Sequence, residues 1–181
     1  MAVSGIGHNG GPALEGRGWR RTCWTRARAE LLPHMPLNVV RRRVARAAEL
    51  GLDYRTYASV RAATGRDIVG FLFSQNGLGL VRPRDRLSDP AARRLAVVQA
   101  LRLGLDRGAL DDDLPLDALH PGPGPHDPFA RQRALLDAAR AAHRLPADGV
   151  VLVGAAPWER GWSAAGRLAG YVDGPRYFAE G

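Results

Sequence analysis

The chain has 181 residues, 45% hydrophobic and 24% charged, which suits one compact domain with a core and a small appendage. A single cysteine, Cys23, excludes an internal disulfide and a multi-cysteine metal cage. The net charge of +8 rests on 26 arginines with no lysine, and it is uneven: residues 1–110 hold 19 arginines against 8 acids, residues 111–181 hold 7 against 10. With 29 alanines, 22 glycines and 13 prolines, this is the composition of a high-GC bacterial genome, in which arginine is the default surface cation. The basic part can steer toward phosphates or an acidic partner, or toward its own acidic half. No apolar run reaches the length of a membrane span, and the opening MAVSGIGHNGGPALEG lacks the basic-then-apolar order of a secretory signal. The expectation is a cytoplasmic protein with no membrane partner.

In chain order, the glycine-rich residues 1–18 read as a flexible tail. Within them Gly5-Ile6-Gly7-His8-Asn9-Gly10-Gly11-Pro12 resembles short N-terminal tags of bacterial proteins and reads either as a docking peptide anchored by Ile6 or as a plain tail. Residues 19–32 predict a short helix with Trp24, Ala27 and Leu31 on one face, ended by Pro33, and Cys23 as a packed thiol. Residues 36–50 predict a strongly amphipathic helix closed by Gly51. Leu37, Val40, Val44, Ala47 and Ala48 share one side; Arg42, Arg43 and Arg46 lie opposite with Glu49. Asp53 caps a second helix, 54–63, with Tyr57 and Val60 inward and Arg55, Ala58, Ser59 and Ala62 outward. Arg61, four residues after Tyr57, is placed to stack on its ring.

Residues 64–77 read two ways. Thr64 and Asp67 form a capping-box-like pair before an apolar stretch, which predicts a helix; Ile68–Phe73 also reads as a buried strand. The helix is the reading taken. Pro90–Leu105 predicts a helix, and 111–128, with five prolines among acids, a loop or linker. A helix over 129–143 follows, with Phe129, Leu135, Leu136 and Ala139 toward the core. The strand Gly149–Gly154 then leads into a helix around 158–168, on which Trp158 and Trp162 share a core-covering face.

Two constellations bear on function. Gly51 with Ala47 four residues earlier, and apolar Leu50, Leu52, Tyr57 and Val60, match the spacing of DNA-binding helix-turn-helix units over residues 43–62. On that reading Arg42, Arg43 and Arg46 contact phosphates, and Arg55 with Ser59 faces the bases. The second lies in 128–170, where a helix, a strand ending Val153-Gly154, a loop and a helix closing in Ala169-Gly170 follow one another. That order resembles the last catalytic segment of haloacid-dehalogenase-like hydrolases, and Phe73-Ser74-Gln75-Asn76 echoes the serine or threonine segment of the family. The resemblance implies an α/β scaffold without its chemistry. Ala155 stands at the metal-binding aspartate, Arg160 or Gly161 near a second acid; no Asp-x-Asp motif occurs, and the phosphate-binding lysine is missing. His120 and His126 with Asp127 make a poor metal site on so proline-rich a loop, and no serine elbow or phosphate-cradling loop is present.

The resulting expectation is a mainly α protein with a small β element, α/β being the alternative. Its parts are a tail (1–18), a basic helical part (19–110), a loop or linker (111–128) and a helix-strand-helix part (129–181). Function is expected to be non-catalytic binding or regulation, without cofactor or metal, through an arginine-rich hairpin that meets DNA or an acidic protein. A catalytically degenerate α/β hydrolase relative is the alternative, and it requires Ile68–Phe73 to be a strand beside Val150–Val153.

Overall fold

A computed structural model describes residues 35–179 except Pro83. The expected tail, the helix over 19–32 and Cys23 lie outside the described residues. Contacts divide the chain into Met1–Val40 and Arg41–Gly181. Of the first unit only residues 35–40 are described, and they open helix α1.

Among the described residues twelve α-helices and strands follow in order: α1 (Leu37–Glu49), α2 (Tyr54–Thr64), β1 (Gly70–Ser74), α3 (Gln75–Leu78), α4 (Asp89–Val97), β2 (Leu101–Asp106), β3 (Ala118–Pro121), α5 (Phe129–Ala141), β4 (Val150–Gly154), α6 (Arg160–Ala165), β5 (Gly170–Asp173) and α7 (Gly174–Ala179). The strands form one parallel sheet in the order β3-β2-β1-β4-β5. This overturns the expectation of a mainly α chain with a small β element; the fold is α/β. Ile68–Phe73 is not a helix either, since Gly70 pairs with Leu101 on one side and Val150 on the other.

Both faces of the sheet are covered, and the side chains of each strand alternate between them. Phe71, Phe73, Val151, Val153 and Val172 pack with Ala47, Leu50, Tyr57, Leu95 and Tyr177, so α1, α2, α4 and α7 lie on that face. Leu72, Leu103, Leu105, Val150 and Leu152 pack on the other with Leu136, Ala139, Trp162 and Ala165, from α5 and α6. A strand buried on both faces carries no polar alternation, which is why the β1 run also fits a helix. The expected helix over 90–105 stops at Val97, and its leucines at 101, 103 and 105 belong to β2. Strand β3 sits inside the stretch read as loop or linker.

Local signals hold at the hairpin. Asp53 accepts from the Thr56 backbone N–H at 2.9 Å and caps α2, and Gly51 turns the chain at φ +66°. The burial of α1 departs from its sequence pattern. Ala47 is buried, whereas Leu37, Val44 and Ala48 are exposed, because the helix turns Arg46 toward acceptors beside β1. At the other end of the chain, Trp162 is in the core but Trp158 is 46% exposed, since it lies in a 3-10 turn (Pro157–Glu159) ahead of α6. Phe129 is likewise exposed rather than in the core.

Candidate functional site

In a doubly wound sheet the ligand crevice lies beyond the carboxyl ends of the strands, where the strand order reverses. Here that point lies between β1 and β4. Ser74-Gln75-Asn76-Gly77 leaves β1, Gly154–Glu159 leaves β4, and Asp106 ends β2.

The polar atoms there bind one another. Ser74 is buried, and its Oγ accepts from the Gly77 backbone N–H at 2.9 Å, as the N-cap of α3. Asn76 Nδ2 donates to Glu159 Oε1 at 2.8 Å. Glu159 is fully buried, and its Oε2 accepts from the N–H groups of Ala155 (2.8 Å) and Ala156 (3.0 Å). Asp106 Oδ1 accepts from Gln75 Nε2 at 3.4 Å and from the N–H groups of Gly108, Ala109 and Leu110. Burial pushes the Asp106 carboxyl up, but the backbone donors outweigh it and hold it below the usual range.

Backbone fills the remaining space. A side chain on Gly77 would collide with the Val153 carbonyl, and one on Gly174 would collide with Gly77 itself. Glycine at both positions lets α3 sit directly between the end of β4 and the start of α7.

These residues do not fit the magnesium ion that a haloacid-dehalogenase-like site implies. A hard cation needs several free oxygens, and carboxylates above all. Ser74 Oγ is used as a cap, Asn76 presents its amide nitrogen to Glu159, and Glu159 already accepts three hydrogen bonds. Ala155 supplies no donor atom. No known protein family, curated protein or solved structure matches this chain.

The arginines singled out from the sequence have different fates. Arg46 is an internal strut: Nε donates to Asp67 at 3.0 Å, Nη1 to Glu49 at 2.9 Å and to the Gln99 carbonyl at 3.1 Å, and Nη2 to the Ile68 carbonyl at 3.0 Å. Asp67 also accepts from the Tyr57 hydroxyl at 2.8 Å and pairs with Arg61 at 3.7 Å. Burial raises the Asp67 carboxyl, and the bonds from Tyr57 and Arg46 more than reverse that, so it stays below the usual range. Arg61 thus reaches Asp67, and Asp67, expected as a helix cap, is the hub that ties α1 and α2 to the entry of β1.

Arg42 and Arg55 are exposed and Arg43 is half-buried, and none of the three has an ion pair among the described residues. Arg55 and Ser59 line a recess of about 410 Å³ with Val60, Ala169 and Tyr171. The hairpin lies flat on the sheet through Ala47, Leu50 and Tyr57.

Sequence reasoning missed Glu159. Arg160 or Gly161 stands near where the resembled family has a second acid, and Glu159, whose carboxylate is buried, is passed over in the sequence. Its signal was its isolation, a lone acid five residues past Gly154 in an otherwise uncharged loop. Also missed was the meeting of His120 with His143, Nε2 to Nε2 at 2.9 Å, which joins β3 to the end of α5.

Proposed function

We propose that this chain is a non-catalytic binding protein on an α/β scaffold of the haloacid-dehalogenase-like kind. The scaffold half of the reading is supported by β1 lying beside β4 in a parallel sheet. The non-catalytic half is supported by one observation, the mutually satisfied switch point. Phosphoryl transfer on such a scaffold needs a nucleophilic carboxylate, a metal and a cation for the phosphate. The Ser74-Gln75-Asn76 segment supplies no carboxylate nucleophile, Ala155 stands at the metal-binding acid, and the hydroxyl of Ser74 is buried and bonded. Glu159 has become a structural ligand of two backbone amides and Asn76.

The test is hydrolysis of p-nitrophenyl phosphate by the full chain with magnesium or manganese present. The expected rate equals the buffer blank. Turnover that follows the protein through purification and is lost in Ser74→Ala and in Glu159→Gln overturns the reading. With chemistry gone, partner binding is what the scaffold retains, and the arginine excess of residues 1–110 directs that partner to the anionic class.

A further inference from the structure

One face of α4 is built to receive something. Pro90, Arg93, Arg94 and Val97 stand at successive helical spacings and line a groove of about 490 Å³, whose other wall is Phe178 and Ala179 of α7. The adjoining face of α4 is the core face, with Ala91 and Leu95 buried. Val97 is 68% exposed, so an aliphatic side chain stands in water at the mouth of a groove whose far wall is aromatic.

The guanidinium of Arg94 lies over the Tyr177 ring, 5.7 Å from its centroid, and its Nη2 is buried with no hydrogen-bond acceptor. A buried unbonded donor on a cation costs more than any other unsatisfied polar group. Arg93 is exposed and forms no ion pair among the described residues, although Asp89 stands one turn before it. Apolar ends with the exposed cation Arg93 between them, and Arg94 held beneath against the Gly51 turn, define the complement: apolar side chains flanked by carboxylates.

We infer that the groove between α4 and α7 is the docking site for an acidic amphipathic helical segment of a partner protein. This rests on the binding reading above and names its partner class. In helix-in-groove recognition, apolar side chains one turn apart fill the groove while rim charges set orientation. Here Val97 and Phe178 receive the apolar stripe, and Arg93, exposed on the rim, receives the carboxylates. A second copy of this chain is the wrong occupant, because it would set the same arginines against each other. Duplex DNA offers phosphates but nothing to cover Val97 and Phe178.

The experiment uses the full chain and a fluorescent, end-capped peptide of about 15 residues, with leucines at helical spacing and glutamates between them. A second peptide carries glutamine for every glutamate. The glutamate peptide is expected to bind at least about tenfold tighter than the glutamine peptide. Arg93→Gln and Val97→Glu should each weaken it about tenfold, while Arg107→Gln leaves it unchanged. Both groove variants alter exposed side chains, and an unchanged melting curve shows that they fold. Equal affinity for the two peptides, no effect of Arg93→Gln and Val97→Glu, retention of duplex DNA alone, or no binding at all overturns the proposal. Absent peptide binding with absent phosphatase turnover removes the groove and leaves the non-catalytic reading; turnover removes that reading itself.

Discussion

At the residue scale, the pair His120–His143 shows how two half-buried imidazoles share a proton. The rings are nearly perpendicular, with centroids 5.1 Å apart and Nε2 atoms 2.9 Å apart. The centroid separation exceeds the nitrogen separation by about two ring radii, so the nitrogens point at each other and one N–H donates to the other lone pair. The Asp117 carboxylate, bound to Arg102 at 2.7 Å, lies close enough to His143 to feel its charge. Burial, and then the charge of His143, lowers the pKa of His120 below its ordinary value. A histidine lowered in the folded state takes up its proton later than the unfolded chain does. Its contribution to stability is therefore full above about pH 6.5 and is lost as pH falls below that toward the folded value. Urea midpoints between pH 8 and pH 5 should fall on the acid side, and His120→Gln should flatten that fall. A midpoint equally pH-dependent in the variant would show that the pair does not carry the effect.

At the element scale, the signals that act within a few residues were legible, and those that act across the sheet were not. Gly51 and Asp53 mark the α1–α2 turn in the sequence, because a positive φ and an N-cap each require particular residue types locally. The turn is also held by tertiary contact: a Cβ on Gly51 would sit 2.7 Å from Arg94 Cδ. Gly51→Ala should cost about 1–3 kcal/mol, as strain at a left-handed position together with displacement of Arg94. Chemical denaturation measures this, and a loss within a few tenths of a kcal/mol would mean the turn relaxes freely. Strand β1 was illegible for a different reason. Its five residues are all buried, and an uninterrupted apolar run has no period with which to exclude a helix.

At the scale of the whole molecule, the net charge of +8 invites a nucleic-acid role, and several arginines of the described residues are committed within the fold. Arg46 is consumed by Asp67 and Glu49, and Arg102 by Asp117. Arg55 borders β5, while Arg93 and Arg94 flank the α4–α7 groove. Among the described residues these arginines contact few phosphates at once. Retention on duplex DNA should fall with salt at a log–log slope no steeper than about −3. A slope near −6 that collapses in the double variant Arg42→Gln, Arg43→Gln would restore the hairpin as a nucleic-acid surface. Among the described residues no helix is long and apolar enough to cross a membrane.

By itself the sequence determined the local punctuation of this protein: the caps at Asp53 and Gly51, the helix read over 129–143 that ends at Ala141, and the strand ending at Gly154. These depend on neighbours in the chain. Tertiary structure alone decided that 70–74 is the central strand, that Arg46 faces inward, and that Glu159 and Asn76 meet across 83 residues. Each of those outcomes depends on which distant backbone or carboxylate offers a partner for a buried group, and hydrogen-bond partners brought together by folding leave no periodic trace along the chain.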